Sequence, residues 1–276
     1  DKEFGSGAVK VTPAHDFNDF ETGVRHELEM ISILDENGCA NENAGDYQGL
    51  DRFEAREKVI SDLESLGLMR GSKPHAHPLA ECQRCETVVE PRLSLQWFVD
   101  IKPLAQPAID AVVGGDTLIL PESWNKTYLN WMNNIEDWCI SRQLWWGHQI
   151  PAWYCQDCDE ITVVREEPES CSYCGSGSIE RDPDVLDTWF SSGLWPFSTM
   201  GWPDTESNDA LDTFYPTNVM ETGYDILFLW VSRMMMLGIH FMGKVPFRKV
   251  YLHGMVRAAD GQKMSKVKGN VIDPLE

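Results

Sequence analysis

The chain has 276 residues, more than one compact domain usually needs, so we expect two units. Its 42% hydrophobic and 24% charged residues are typical of a globular protein and exclude a disordered one. Forty-four acidic against 23 basic residues give a formal net charge of −21, which disfavours a general nucleic-acid binder but leaves room for a local basic patch.

The sequence has no pattern of a targeting or membrane segment. Residues 1–5 have neither the basic start nor the apolar stretch of a signal peptide. The longest apolar run, 226–241, is interrupted by Ser232, Arg233 and His240, is too short to span a bilayer, and predicts a buried helix. We therefore expect a soluble, cytoplasmic protein.

The first predicted elements lie before residue 30. Residues 5–12 predict a glycine turn followed by a short strand, and residues 13–16 predict a loop. Asn18 or Asp19 can then cap a helix, because both side chains accept hydrogen bonds from free backbone N–H groups. The apolar positions of this helix are Phe20, Val24 and Leu28.

A second helix is predicted to begin at Asp51. Glu54 occupies the capping-box position three residues later, and Gly67 is the expected stop. One face of this helix carries the apolar residues Phe53, Val59, Ile60, Leu63 and Leu66.

The composition changes at residues 71–91, which are rich in Gly, Pro and His. We place a domain boundary in this segment, at 78/79. From Trp97 onward, helical patterns alternate with short apolar strands such as 249–252, and this alternation indicates an α/β domain.

Four cysteines form the pattern of a structural metal site. Cys155 and Cys158, and then Cys171 and Cys174, make two C-x2-C pairs with twelve residues between them, followed by glycines as in zinc ribbons. Four thiolates close the coordination sphere of Zn²⁺ and leave no position for a substrate. The alternative is reduced or disulfide-bonded cysteine.

Cys82 and Cys85 form only half of such a site. His75 and His77 could complete it locally, as could residues outside this sequence, and an unliganded pair is the alternative. The remaining thiols, Cys39 and Cys139, are expected to be ordinary buried residues.

A lysine-rich loop spans residues 260–270, Asp-Gly-Gln-Lys-Met-Ser-Lys-Val-Lys-Gly-Asn. Such a loop can wrap a polyphosphate and neutralise the charge of departing pyrophosphate, although lysine loops are more often solvated surface. This one resembles the KMSKS loop of class I aminoacyl-tRNA synthetases. Lys263, Met264, Ser265 and Lys266 match the motif, and Val267 departs from its usual serine.

Further stretches resemble the same family in the same chain order. Residues 5–20 resemble the end of the editing domain shared by the valyl, isoleucyl and leucyl members, and residues 138–143 are similar to valyl and isoleucyl members. Three stretches favour the valyl members, namely 144–151 (Leu-Trp-Trp-Gly-His-Gln-Ile-Pro), 184–192 (Asp-Val-Leu-Asp-Thr-Trp-Phe-Ser-Ser) and 221–227 (Glu-Thr-Gly-Tyr-Asp-Ile-Leu).

The resemblance implies a synthetic site that couples ATP and an amino acid into an aminoacyl-adenylate. Lys263 and Lys266 are the implied catalytic residues, since they would hold the phosphates. The implied ATP and adenylate contacts are Glu221, Gly223, Asp225, Lys263, Met264, Ser265 and Lys266. The implied amino-acid pocket is Trp189, Ile226 and Trp230, with plain core packing as the alternative for these residues.

The resemblance also implies an editing site. A pocket of indoles and isoleucine excludes larger side chains by shape, but it cannot strongly reject threonine, which has nearly the shape of valine. Asp19 would bind the free amino group of the wrong residue, or serve only as a helix cap. Its implied neighbours are Lys10, Thr12, His15 and Asp16.

We thus expect the C-terminal half of an α/β, Rossmann-type class I synthetase catalytic domain at 79–276. It would carry a zinc-ribbon insertion at 153–177 and the KMSKS loop at 263–267. Residues 1–78 would be the C-terminal part of a β-rich editing domain. The implied ligands and partners are ATP with Mg²⁺, L-valine, tRNA and Zn²⁺, and we expect a monomer.

We further expect this chain to be an internal part of a longer protein. The HIGH-type motif would precede residue 1 and an anticodon-binding domain would follow residue 276, so the chain alone should activate no amino acid. Two alternatives stay open at this point. One is an isoleucyl member, against which Lys10, the pair 145–146 (Trp-Trp) and residues 225–227 (Asp-Ile-Leu) argue. The other is a synthetase-derived, non-catalytic RNA-binding module.

Overall fold

The computed structural model describes residues 3, 8–76, 78–82, 85–204, 209–265, 269–273 and 275. The chain divides into two compact units, unit 1 (residues 1–95) and unit 2 (residues 96–276). This division lies farther along the chain than the boundary predicted at 78/79. The predicted boundary separates an editing domain from a catalytic domain, and it stays a prediction.

The first helix of unit 1, α1, spans Phe17–His26. Its cap is Asp16, which has the extended backbone of an N-cap and accepts a hydrogen bond from the Asp19 N–H at 2.9 Å. The prediction of Asn18 or Asp19 as the cap was therefore wrong, because both lie inside the helix. The helix ends at Glu27 in the left-handed conformation, so Leu28 lies beyond it, contrary to prediction.

The second helix, α2, spans Arg52–Ser65. The Asp51 side chain accepts the N–H of Phe53 at 2.8 Å, and Gly67 follows the helix with a φ of +69°, so both predicted ends are confirmed. A 3-10 helix, Glu42–Tyr47, precedes α2.

The strand predicted within residues 5–12 is not found. Residues 5–7 lie outside the described part of the chain, and residues 8–12 have no strand partner among the described residues. Unit 1 instead shows isolated β-bridges at Leu34–Ala40, Cys39–Asp51 and Glu81–Val88. Local strand propensity did not produce a strand here because no described neighbour pairs with it.

Unit 2 contains ten strands among its described residues. They are β1 (Phe98–Val99), β2 (Leu118–Leu120), β3 (Trp138–Cys139), β4 (Ser141–Arg142), β5 (Ala152–Cys155), β6 (Ile161–Val163), β7 (Ile179–Arg181), β8 (Val185–Leu186), β9 (Met220–Gly223) and β10 (Lys249–His253). Strand β10 contains the predicted strand 249–252 and is one residue longer.

The central sheet is parallel, with the order β2-β10-β9. Its β10 strand alternates between exposed and buried side chains, with Val250 and Leu252 in the core. The helices of unit 2 are α3 (Lys102–Val113), α4 (Trp124–Asn133), α5 (Thr188–Gly193), α6 (Trp195–Ser198), α7 (Ala210–Phe214) and α8 (Ser232–Met242). The α/β class predicted for this part of the chain is confirmed.

The apolar run predicted as a core helix is helical from Tyr224 to Met242. It consists of a 3-10 turn (Tyr224–Ile226), a π-helical turn (Leu227–Val231) and then α8. Its 19 residues are long and apolar enough to cross a membrane, so the prediction that the run is too short was wrong. The prediction of burial was right, since Leu227, Val231 and the three consecutive methionines that follow Arg233 lie in the core of unit 2.

Unit 2 also has three smaller antiparallel elements among its described residues, and the first is the pair of β1 with β3. Strands β5, β6 and β7 form a ribbon in the order β6-β5-β7, and this ribbon carries the two cysteine pairs in its turns. Strand β4 pairs with β8, which leads directly into α5. Residues far apart in sequence are thereby brought to the start of α5.

Candidate functional site

The four predicted zinc ligands come together at the end of the ribbon. Cys155 Sγ lies 3.6 Å from Cys174 Sγ, and Cys158 Sγ lies 3.7 Å from Cys171 Sγ. All four sulfurs lie within 4.8 Å of one another. Backbone N–H groups of Cys174 and Tyr173 stabilise the thiolate and lower the pKa of Cys171 to about 6.

These distances fit a tetrahedral zinc site. Zn–S bonds of about 2.3 Å in a tetrahedron place the sulfurs about 3.8 Å apart. The observed spacings are close to that value and much longer than the roughly 2.05 Å of a disulfide bond. The four thiols could therefore hold one tetrahedral thiophilic ion, and a site of four thiolates would be closed and structural.

Cys82 and Cys85 also form a turn, in which the Glu86 N–H donates to Cys82 O at 2.9 Å. A side-chain hydrogen bond with Thr87 lowers the pKa of Cys85. Among the described residues, no third Cys, His, Asp or Glu joins this pair as a metal-binding group. His77 lies outside the described residues, so its predicted part in a second site is untested.

The predicted adenylate residues lie at the carboxyl ends of two parallel strands. Gly223 ends β9 and pairs with His253 at the end of β10. Crevices at such strand ends are where open α/β sheets bind their ligands. A Cβ atom on Gly223 would lie 2.6 Å from Asp225 Oδ1, so glycine is what allows the Asp225 carboxylate to fold back over the strand end. Glu221, on the same strand, is exposed.

The lysine loop reaches this strand end. Lys263 Nζ lies 2.7 Å from Asp225 Oδ2, so two predicted site residues from distant parts of the chain form an ion pair. Residues 257–263 make a hairpin turn closed by an antiparallel bridge between Arg257 and Lys263. Arg257 also donates to the Tyr224 hydroxyl at 3.2 Å, a contact that the sequence did not predict.

The Asn270 side chain hydrogen-bonds to two residues of the lysine loop. Its Oδ1 atom accepts the Ser265 N–H at 2.8 Å, and its Nδ2 donates to Lys263 O at 3.4 Å. The Met264 sulfur accepts the Ile272 N–H at 3.4 Å. Lys266, the second predicted catalytic residue, and Val267 lie outside the described residues.

The three predicted pocket residues are partly buried. Trp189 lies on α5, while Ile226 and Trp230 lie on the helical segment before α8. Trp230 Nε1 donates to the carbonyl of Ser192 on α5 at 3.1 Å, which ties the two elements together. The side chains of Trp189 and Trp230 pack against the core of unit 2, as the alternative of plain core packing predicts, and their pocket role stays a prediction.

Asp187 forms a buried polar cluster that the sequence did not predict. Its Oδ2 atom accepts from Arg142 at 2.9 Å and from Trp138 Nε1 at 3.1 Å, and it lies 3.5 Å from Arg233. Its Oδ1 atom accepts the Trp189 N–H at 3.1 Å and caps α5. Burial, which Asp187 only partly offsets, lowers the pKa of Arg233 to about 10.

Three of the predicted editing residues, Lys10, Thr12 and Asp19, share a hydrogen-bond cluster. Asp19 Oδ2 accepts the Thr12 N–H at 2.7 Å and the Thr12 hydroxyl at 3.2 Å, and Lys10 Nζ donates to the same hydroxyl at 3.3 Å. Lys10 is exposed, and the Asp19 carboxylate is partly buried. Three predicted residues thus form one polar group at the start of α1.

His15 and Asp16 have structural partners instead. His15 Nε2 accepts the Ile33 N–H at 2.9 Å, so its Nδ1 carries the proton and donates to Pro91 O at 2.9 Å. Both ring nitrogens are therefore occupied. The Asp16 carboxylate is occupied as the cap of α1.

The loop after β4 presents two indoles to solvent. Trp145 is fully exposed and Trp146 is 87% exposed. Gly147 anchors the loop, because a Cβ there would lie 2.9 Å from the Val185 side chain. The His148 carbonyl then accepts the Leu186 N–H at 2.7 Å and returns the chain to β8.

Residues 18–276 match the family model of class I tRNA synthetases (I, L, M and V). The chain belongs to this family. The match covers most of unit 1, from residue 18 on, and all of unit 2, including the ribbon, the strand ends and the lysine loop.

Among curated class I synthetases, the chain is similar to valine–tRNA ligases. It is 62% identical over 275 residues to that of Syntrophotalea carbinolica and 59% identical to that of Geobacter sulfurreducens. All of this chain is covered in both cases, but only 30% and 31% of the relatives. The chain therefore spans about a third of the length of the curated relatives it matches.

Solved synthetase structures show a weaker likeness. A Mycobacterium tuberculosis methionyl-tRNA synthetase in complex with methionyl-adenylate is 19% identical, with a TM-score of 0.49 over 71% of this chain and 33% of its own. A leucyl-tRNA synthetase of Agrobacterium radiobacter in a ternary complex with tRNA is 25% identical, with a TM-score of 0.42 over 51% and 22%.

Proposed function

We propose that this chain is the part of a valine–tRNA ligase that supplies the lysine loop, one side of the amino-acid pocket, the zinc ribbon and part of the editing site. The observation that carries the proposal is the 2.7 Å contact of Lys263 with Asp225. It joins the KMSKS-like loop to the crevice beyond two parallel strands, where a nucleotide is expected to bind. High identity to valine–tRNA ligases over the whole chain supports valine as the substrate.

The proposed reaction joins valine to ATP, forms valyl-adenylate and releases pyrophosphate. Lys263 would leave Asp225 and contact the phosphates, where its charge stabilises the departing pyrophosphate. Asp225 would then be free to accept hydrogen bonds from the ribose. Lys266 would act with Lys263, and Mg²⁺ would accompany ATP, as is usual for phosphate chemistry.

The acyl group would next pass to tRNA. The partly buried indoles of Trp189 and Trp230 suit a pocket that excludes larger side chains by shape. Because such a pocket also admits threonine, which has nearly the shape of valine, hydrolytic editing is needed. The Asp19 carboxylate would bind the ammonium group of threonyl-tRNA beside Thr12 and Lys10, since a carboxylate holding two hydrogen bonds keeps further acceptor positions.

The ribbon would hold Zn²⁺ as a structural ion, outside the chemical steps. Tyr154 of β5 and Trp97 both donate to Asp182 Oδ2 at 2.8 Å, so a folded ribbon is tied to the rest of unit 2. We place the full-length protein in the cytoplasm, as a monomer.

Amino-acid-dependent exchange of pyrophosphate into ATP tests this proposal on the full-length protein that carries the chain. We expect strong exchange with valine, weak exchange with threonine, and little with isoleucine or leucine. Lys263→Ala should lower kcat about a hundredfold, because a charge that acts in the transition state is lost.

The matched control is Lys249→Ala, which also removes a lysine charge. Lys249 is the first residue of β10, at the end of the strand away from the lysine loop. It should leave the exchange rate within about twofold of the parent, as expected for an exposed surface residue. Exchange driven by isoleucine in place of valine, or equal losses in both variants, would contradict the proposal.

A further inference from the structure

Asp187 joins the two elements that carry the tryptophans of the proposed amino-acid pocket. Trp189 lies two residues after Asp187 on α5, and Trp230 lies three residues before Arg233, the ion-pair partner of Asp187 on α8. We propose that Asp187 is a positioning residue that sets the separation of these two elements and thereby the selectivity of the pocket. This inference rests on the proposed function.

The link to α5 is direct. The Asp187 N–H donates to Ile140 O at 2.7 Å, and its carboxylate caps the helix at the Trp189 N–H. The Asp187 carbonyl also accepts the Phe190 N–H at 2.8 Å. With its backbone and its side chain both held, Asp187 fixes where α5 begins and therefore where Trp189 stands.

The link to α8 runs through Arg233, whose side chain is only 12% exposed. Its guanidinium lies 3.7 Å above the centre of the Trp138 ring, and the Trp138 indole donates to the same Asp187 oxygen. The cation is thus fixed by an ion pair from one side and by an aromatic face from another. Its place on α8 then fixes the helix relative to Asp187.

The helices α5 and α8 are in close contact at Gly193. A Cβ atom on Gly193 of α5 would lie 2.8 Å from Leu237 Cδ1 on α8. The hydrogen bond from Trp230 to Ser192 O is a second short link, between α5 and the π-helical turn that leads into α8. Because the contact is tight, a small change at Asp187 must alter the pocket walls instead of being absorbed by loose packing.

The charge balance makes Asp187 the critical member of this cluster. Two guanidinium groups, from Arg142 and Arg233, approach one buried carboxylate. Loss of the carboxylate leaves two cations facing each other in a partly desolvated site, so they must move apart. Since Arg233 belongs to α8 and Arg142 to β4, their separation should widen the pocket.

A wider pocket has a specific signature. The distance between the pocket walls decides whether the larger isoleucine side chain is excluded. It cannot separate threonine from valine, because the two side chains have nearly the same size. Loss of Asp187 should therefore weaken discrimination against isoleucine and leave discrimination against threonine unchanged. A purely structural loss would lower activity with all three amino acids alike.

The test compares kcat/KM for valine, isoleucine and threonine in pyrophosphate exchange by the full-length protein. We expect Asp187→Asn to lower the valine-to-isoleucine ratio about tenfold and the valine-to-threonine ratio less than about twofold, since misplaced walls affect the larger substrate most. The control Asp184→Asn makes the same chemical change on the same segment, where the partner is the uncharged Gln143. It should change neither ratio.

Arg142→Gln is the second variant, because Arg142 is 39% exposed and its loss leaves the Asp187–Arg233 pair in place. Because it removes one of the hydrogen bonds that hold the Asp187 carboxylate, it should loosen that carboxylate and shift the isoleucine ratio in the same direction by about threefold, less than Asp187→Asn does. It decides the question if Asp187→Asn does not fold. If the parent selects valine and the variants keep its valine-to-isoleucine ratio, or if the valine-to-isoleucine and valine-to-threonine ratios fall together, the inference is wrong while the proposed function stands. A parent that does not activate valine would overturn the proposed function and the inference with it.

Discussion

At the scale of single residues, Asp19 shows how one carboxylate serves both fold and site. Two of its hydrogen bonds come from Thr12, and its own N–H is held by the helix cap Asp16. The negative charge is therefore placed by contacts that asparagine can largely retain. What asparagine lacks is the charge that would bind an ammonium group.

We predict that Asp19→Asn in the full-length protein lets threonyl-tRNA accumulate at least about tenfold over the parent, because a charge-assisted contact to the wrong aminoacyl ester is lost. Formation of valyl-tRNA should be unchanged. Thin-layer analysis of tRNA charged with labelled threonine measures this. Glu21→Gln, an exposed acid on α1, is the control, and accumulation in that variant as well would count against an editing role for Asp19.

Which residues the sequence can identify depends on how local their partners are. The clustering of the four cysteines was predicted because each pair forms its own turn. Asp187 was missed because its partners Arg142 and Trp138 lie 45 and 49 positions away, and its local pattern is only that of a helix cap. The predicted cap of α1 failed for the opposite reason, since several capping residues stand side by side and the backbone of Asp16 decided between them.

At the scale of elements, the ribbon is small, and the proposed zinc ion would stabilise it. Strands β5, β6 and β7 have three or four residues each, and sheets of this size are marginal without further support. Cys155 and Cys171 of the cluster are buried, so without the proposed ion the ribbon would enclose two thiols that bind no metal.

We predict that replacing Cys155 and Cys158 together by serine removes about one equivalent of zinc from the purified protein, because thiolate ligation is lost. Plasma mass spectrometry measures the metal content. The matched double variant, Cys39→Ser with Cys139→Ser, should retain the parent's zinc. Equal zinc in the parent and the first variant would show that the cluster is not the metal site.

At the scale of the whole molecule, the formal charge of −21 is the dominant feature. Like charges spread over a compact surface repel one another and oppose folding, while the described ion pairs are few. At about 0.1 M salt the screening length is about 10 Å, shorter than most distances across the chain.

We therefore predict that raising the ionic strength from about 20 to about 200 mM increases the melting temperature of the 276-residue chain by a few degrees, because screening weakens the net repulsion. Scanning calorimetry in sodium and potassium chloride measures this. The two chlorides should act alike. A melting temperature that falls with salt would mean that attractive ion pairs outweigh the repulsion.

The fold of the whole molecule could be predicted only in part from the sequence. Alternating helical and apolar patterns were enough to predict an α/β unit, because that class is set by local periodicity. The contact between Lys263 and Asp225 was not predictable, since it spans 38 positions and depends on β9 and β10 lying side by side. The absence of a strand at 8–12 is also a matter of context, because a strand exists only with a partner.

The exposed loop at Trp145 and Trp146 gives the chain its own optical probe. Indole emission moves to shorter wavelength when water around the ring is replaced, and acrylamide quenches exposed rings first. Most other tryptophans of this chain are at least partly buried, so the red edge of its emission reports largely on this one loop. Any partner or segment that covers the loop can thus be followed in real time, without a label and without a substitution.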